Sequence, residues 1–288
     1  MSAPQPAAGL AGLTDAYDVL LSDVWGVIHN GRENFPVACE ALARWRRERG
    51  PVILISNSPR PRAQVIEQLQ GLGVSHEVYS QVVTSGDATR GILARHAPGP
   101  AWKIGPDRDG PLYEGLGIEF SRLEEASFIA LTGPDDDETE TPADYRERLA
   151  KAAARELPMV CANPDKVVQR GDKLIYCGGA LADLYQTLGG TVEMAGKPFG
   201  PIYDMAIAAA GAVLGHAAER SRVLCVGDGV VTDVRGANAQ GLDVLFVARG
   251  IHGDELMSGP GQLNLKAVET RLAEDGSQAQ WVIPDLVW

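Results

Sequence analysis

Two short apolar runs rich in β-branched residues, "YDVLLSD" (17–23) and "GPVILISNS" (50–58), flank "PVACEALARWRRERG", which has helical periodicity and a glycine stop. Runs this uniformly apolar read as strands buried on both faces, and strands joined through a helix-length segment lie parallel through a crossover. The pattern is a βαβ unit, so the first third of the chain reads as a parallel sheet with crossover helices.

Further helices are expected in "PRAQVIEQLQGLG" and "SGDATRGILARH". After Ala97 the texture turns glycine- and proline-rich, followed by an apolar run "SFIALTG" and an acidic stretch "PDDDETETPADYRERLAKAAARE". In that stretch Thr141 reads as an N-cap, with Pro142 in the first turn and Asp144 three residues after the cap. The acids before it read as a solvated loop, because they lack the ordered spacing of a calcium loop. From "GKPFGPIYDMAIAAAGAVLG" the rhythm resumes, with "SRVLCVGD", "DVLFVARG" and "QWVIPDL" as strands and "VVTDVRGANAQG" as a helix closed by Gly241. The architecture expected is α/β: a doubly wound, Rossmann-like parallel sheet core built from residues 1–84 and 196–288, with an α/β domain inserted over residues 85–195.

With 288 residues, 45% of them hydrophobic, the chain can bury a substantial core. A formal charge of −12 argues against nucleic acid or an anionic membrane as the main partner, so a small anionic ligand needs a local cationic pocket. The first residues lack the basic-then-apolar order of a signal peptide and no run approaches 18 apolar residues, so a cytoplasmic protein is expected. Cys39, Cys161, Cys177 and Cys225 form no CxxC pair and read as reduced structural thiols.

In open parallel sheets ligands bind beyond the carboxyl ends of the strands, so the residues that follow each apolar run are the candidates. Asp23 follows the first strand and Ser56, Asn57 and Ser58 follow the second, where hydroxyls and free N–H groups suit a phosphate. Lys197 stands at the re-entry to the core as a compact positive charge. Asp228 follows the "VLCVG" strand, and Asp233 lies near the start of the next helix, where Thr232 is a candidate cap. Two carboxylates at adjacent strand ends call for a cation, and Mg²⁺ binds through one or two carboxylates plus substrate oxygens.

The set resembles the haloacid dehalogenase (HAD) superfamily, and within it subclass IIA, the NagD-like or nitrophenylphosphatase-like group. "SDVWGVIHNG" is similar to the first motif, "ILISNS" to the second, "GKPFGPIYDMA" to the third and "VGDGVVTDVRGA" to the fourth. "TSGDATRGIL", "CANPDKVV" and "GGALADLY" are similar to other stretches that recur in the subclass. The resemblance implies that the insert is a cap and that Asp23 attacks phosphorus to give an aspartyl-phosphate. It further implies that Ser56 and Asn57 hold the phosphoryl oxygens and that Lys197 stabilises nucleophile and phosphate. Mg²⁺ would be bound by Asp23, the Trp25 carbonyl and Asp228, with Asp233 supporting the metal or the lysine. Gly178, Gly179 and Ala180, in "CGGAL", would form a loop over the substrate. The expected ligand is a small phosphorylated metabolite, and a cap-mediated homodimer is in keeping with the subclass.

Trp25 departs from the resemblance. Most phosphatases of the superfamily carry a second aspartate there, and such general acid–base help is worth roughly 10²–10⁴ in rate. Trp25 keeps the carbonyl but has no proton to give, leaving water, the substrate or His29 as the donor. Three readings stay open on sequence: a phosphatase with a restricted substrate, a hydrolase of a carbon–halogen or carbon–phosphorus bond, or a weakly active phosphometabolite-binding protein.

Overall fold

The structure is a computed structural model, and it describes residues 3–170, 173–259 and 261–288, the side chain of Asp254 excepted. In chain order the elements are β1 (Gln5–Pro6), β2 (Val19–Ser22), α1 (Pro36–Glu48), β3 (Val52–Ser56), α2 (Arg62–Gly71), β4 (Gln81–Thr84) and α3 (Ser85–His96). There follow β5 (Ala101–Ile104), β6 (Phe128–Leu131), α4 (Pro142–Ala154), β7 (Met159–Cys161), β8 (Val167–Arg170), β9 (Lys173–Tyr176), α5 (Gly178–Thr187) and β10 (Val192–Met194). The chain continues through α6 (Gly200–Leu214), β11 (Val223–Gly227), α7 (Arg235–Ala239), β12 (Asp243–Val247) and α8 (Gly253–Leu256). It ends with β13 (Met257–Gly259), β14 (Gln262–Leu263), α9 (Leu265–Asp275) and β15 (Trp281–Ile283).

Two compact units emerge. The first comprises Met1–Ser56, Ile66–Val83 and Tyr203–Trp288, and the second Asn57–Val65 and Thr84–Ile202. Their edges differ from the expected 85–195 insert, since residues 57–65 and 196–202 also pack with the second unit.

In the first unit a seven-stranded sheet has the order β1-β15-β12-β11-β2-β3-β4. The pairs β2 with β3, β2 with β11, and β11 with β12 are all parallel. Every residue of β2, β3 and β11 is buried, which is why these strands are apolar up to their last residue and do not alternate. Helix α1 covers the sheet with Ala38, Ala41, Leu42 and Trp45. Sequence patterning missed β1, whose two residues pair with β15, because a strand so short has no periodicity to read.

The second unit has its own four-stranded parallel sheet, β10-β7-β6-β5. Along β6 the side chains alternate, with Ile129 and Leu131 packing beside Tyr145, Leu149 and Tyr185, and Phe128 and Ala130 beside Leu93, Leu112 and Tyr113. Both faces are therefore cored. Helix α4 starts as expected, with the Thr141–Asp144 capping box closed in both directions. The acidic loop before it is less solvated than expected. Asp137, with a side chain only 10% exposed, is paired with Arg108 and Arg170, and Asp135 Oδ1 accepts from the Gly105 N–H at 2.8 Å. These acids pin loops of the second unit together.

Candidate active site

The strand order reverses between β2 and β11: the chain proceeds from β2 to β3 and β4 on one side, and from β11 to β12 on the other. Loops leaving neighbouring strands at such a point diverge and open a crevice. Asp23 follows β2 directly, and Asp228 follows β11 directly. Ser22 is in register with Val226, and the Asp23 N–H donates to the Val226 carbonyl at 2.7 Å, which brings the two strand ends level.

Asp233 arrives by another route. After β11 the chain forms a π-helical turn, Val230–Val234, in which the Asp233 and Val234 N–H groups both donate to the Gly229 carbonyl, at 2.8 and 3.1 Å. Such one-turn π segments are frequent at functional sites. The turn returns the Asp233 carboxylate to the strand end, where Oδ2 accepts from the Gly229 N–H at 3.0 Å. Thr232, the expected cap, lies inside this turn, and Gly229 takes the N-cap position. Tyr203 holds the turn from beneath by donating its hydroxyl to the Asp233 carbonyl at 3.3 Å. Burial, then the nearby Cys225, Asp233 and Asp23, push the Tyr203 phenol well above its ordinary pKa, so it remains a donor.

One ligand oxygen from each of Asp23, Asp228 and Asp233 lies within 4.8 Å of the others, and all three residues are buried. At such a separation, with an effective dielectric of about 20, each like-charge pair repels by roughly 3–4 kcal/mol. Backbone donors offset part of this: the Val24 N–H bonds Asp23 Oδ1 at 2.7 Å and the Ile251 N–H bonds Asp228 Oδ2 at 2.6 Å. Three hard oxygen donors with net negative charge fit a hard divalent cation such as Mg²⁺, whereas zinc and copper favour nitrogen and sulfur. Asp233 thus stands in the cluster with Asp23 and Asp228.

Gly26 and Gly250 make room for Asp228. A Cβ on either would overlap the Asp228 carboxylate, and Gly26 also has φ +85°. Gly250 and Ile251 were missed in the sequence, although they follow the apolar strand β12 and the strand-end rule that found Asp23 applies to them equally.

Trp25 is half-buried, and its indole meets the His29 ring edge-on at 5.0 Å between centroids. The ring lies over Gly31, which has φ +83° and no space for a Cβ. His29 is 2% exposed, and its Nδ1 accepts from the Gly31 N–H at 2.9 Å. The imidazole therefore fastens this turn through Nδ1.

Ser56 ends β3 in the first unit and is buried. Asn57, Ser58 and Lys197 belong to the second unit. Lys197, 2% exposed, and Asn57, 3% exposed, bond each other twice: the Lys197 N–H donates to Asn57 Oδ1 at 2.7 Å, and Asn57 Nδ2 donates to the Lys197 carbonyl at 3.0 Å. Ser58 shapes the turn, its Oγ accepting from the Arg60 N–H at 3.3 Å and its carbonyl from the Gly86 N–H at 3.0 Å. Gly178, Gly179 and Ala180 do not form a loop. They are the first turn of α5, with Gly178 and Gly179 buried, because a Cβ on either would collide with carbonyls of the Asn163–Asp165 turn. None of the four cysteines is in a disulfide, and burial pushes the Cys161 thiol up to about 12, away from thiolate chemistry.

An open parallel sheet with three acids gathered at its switch point is a site suited to a hard divalent cation. The model of the haloacid dehalogenase-like hydrolases matches residues 20–119, and a HAD-hydrolase-like model matches residues 194–284. The crystal structure of a hydrolase of the haloacid dehalogenase-like family from Brucella suis is 43% identical, with a TM-score of 0.87 over 99% of this chain and 100% of that one. This chain belongs to the haloacid dehalogenase-like hydrolase family and is an enzyme. It is also similar to a 5'-nucleotidase of Bacillus subtilis, 26% identical over 84% of this chain and 91% of that protein. A D-glycerol 3-phosphate phosphatase of Mycobacterium tuberculosis is 26% identical over 84% of this chain and 66% of that one. The p-nitrophenyl phosphatase of Archaeoglobus fulgidus, 20% identical, shares the fold with a TM-score of 0.67, covering 93% of this chain and 96% of that one.

Proposed function

We propose that this enzyme is a Mg²⁺-dependent phosphatase of subclass IIA that hydrolyses a small phosphomonoester, with residues 85–195 as its cap. The observation that carries the reading is the buried Asp23, Asp228 and Asp233 cluster at the switch point. The phosphatase and nucleotidase names of the curated relatives support the same substrate class.

Asp23 attacks phosphorus through a carboxylate oxygen, the bond from phosphorus to the ester oxygen breaks, and an aspartyl-phosphate remains. Water then attacks that phosphorus, the bond to Asp23 breaks, and inorganic phosphate leaves with the carboxylate restored. Asp23, Asp228, Asp233 and the Trp25 carbonyl would hold Mg²⁺, which supplies charge neutralisation for the phosphoryl oxygens. The family resemblance assigns Ser56, Asn57 and Ser58 to the phosphoryl oxygens and Lys197 to their charge. Trp25 offers no proton, so the leaving oxygen takes one from water or from the substrate itself. This favours substrates with good leaving groups.

The test is a screen of phosphomonoesters, with haloacids and phosphonates included, run with and without Mg²⁺. Metal-dependent phosphate release that is lost in Asp23→Asn supports the proposal. Turnover confined to haloacids or phosphonates, or no turnover above the Asp23→Asn background, refutes it.

A further inference from the structure

Asp165, in the turn between β7 and β8, accepts a hydrogen bond from Asn57 Nδ2 at 2.8 Å across 108 positions of sequence. The Asn57 carboxamide has two N–H donors and one carbonyl acceptor. One donor goes to Asp165 and the other to the Lys197 carbonyl, while the acceptor receives the Lys197 N–H. Both donors of the side chain are therefore engaged, and the side chain brackets one lysine residue through its N–H and its C=O.

Asp165 reinforces the sense of that bracket and ties the amide to its own turn. An ionised carboxylate only accepts, so the amide must turn its nitrogen toward Asp165 and its oxygen toward the Lys197 N–H. The opposite orientation would face oxygen against carboxylate and nitrogen against N–H. Asp165 is itself held, with its N–H on Asn163 Oδ1 at 3.1 Å and its carbonyl receiving the Gly179 N–H at 2.9 Å. The turn thus links the first turn of α5 to Asn57 and, through it, to Lys197, all within the second unit.

We propose that Asp165 is a positioning residue: by fixing the Asn57 amide it holds the Lys197 backbone in the conformation that presents the ammonium group to the phosphoryl group. The role in turnover rests on the phosphatase reading; the role in holding Lys197 does not.

The experiment uses full-length Asp165→Ala, which removes the acceptor, and Asp165→Asn, whose carbonyl retains it. Asp165→Ser, too short to reach Asn57, is made alongside in case the alanine variant does not fold. With p-nitrophenyl phosphate and Mg²⁺, loss of a partner that orients a catalytic group lowers kcat by roughly 10–100-fold with KM little changed, and Asp165→Asn restores kcat to within about threefold. Hydrogen exchange of residues 195–199 should accelerate at least about tenfold in Asp165→Ala and stay near wild type in Asp165→Asn, with β11 protected in both. Unchanged exchange at residues 195–199 in folded Asp165→Ala or Asp165→Ser overturns the proposal, as does equal loss of kcat in the alanine and asparagine variants. If the wild-type protein releases no phosphate, the phosphatase reading fails, and exchange alone still decides whether Asp165 holds Lys197.

Discussion

Gly250→Ala separates the demand for space at the acidic cluster from every other property of the loop. The φ of Gly250 lies outside the left-handed region, so alanine fits the backbone, and the only new object is a methyl group that overlaps Asp228 Oδ2, Cβ and Cγ. To regain ordinary van der Waals contact the carboxylate must retreat by roughly 1–1.5 Å. That movement breaks the 2.6 Å bond from the Ile251 N–H. A hydrogen bond to a charged group is worth about 1.5–3 kcal/mol, and the expected loss of stability is about 2 kcal/mol. The larger effect is expected on Mg²⁺ binding, since a shift of this size takes one of the three proposed ligand carboxylates out of place. The half-saturating Mg²⁺ concentration for phosphate release is expected to rise roughly 10–100-fold, by analogy with the loss of an orienting partner. Phosphate release against Mg²⁺ concentration and urea melts of the same preparations give both quantities. An unchanged Mg²⁺ requirement in a folded Gly250→Ala protein would refute the argument that Asp228 is held in its working position by the missing side chain.

Mg²⁺ at about 100 times its Kd should stabilise the wild type by about 2.7 kcal/mol, read as a rise in Tm of roughly 5 °C, and Asp228→Asn should abolish that rise; an equal rise in the variant places the ion elsewhere. Trp25→Asp should increase the rate on esters with poor leaving groups by up to roughly 10²-fold through general acid catalysis, while loss of the indole from Gly31 and His29 costs about 2–3 kcal/mol; no increase in a folded variant means that proton transfer does not limit the rate. Burial raises the Asp137 carboxyl, but the hydrogen bonds from Arg170 and Arg108 outweigh it and leave the group below its ordinary range. Because the folded pKa is depressed, this stabilisation is present above the unfolded value of about 3.9 and is lost as pH falls through the folded one. Asp137→Asn should therefore cost about 1–2 kcal/mol in urea melts near neutral pH and less at about pH 3, and a cost that grows on acidification would contradict the assignment.

The sequence by itself determined the sheet and the two acids at its centre. Strands β2, β3 and β11 read as parallel and doubly covered because each is an unbroken apolar run up to its last residue, and Asp23 and Asp228 were legible because they are the first charged residues after such runs. Helix α4 could be started at Thr141 because its capping chemistry is local. What tertiary structure decided involves groups distant in sequence or a change in backbone winding. The π turn that returns Asp233 to the cluster has no periodic signature, and Gly250 matters only because Asp228, 22 positions earlier, is folded against it. The acidic loop looked solvated because charge runs usually are, but Arg108, after β5, and Arg170, at the end of β8, reach Asp137 from elsewhere in the second unit. The glycines of "CGGAL" are helical because their missing side chains admit the carbonyls of the Asn163–Asp165 turn. Periodicity and capping act over a few residues and are written locally, whereas a carboxylate's partners are fixed only when strands remote in sequence are brought into register.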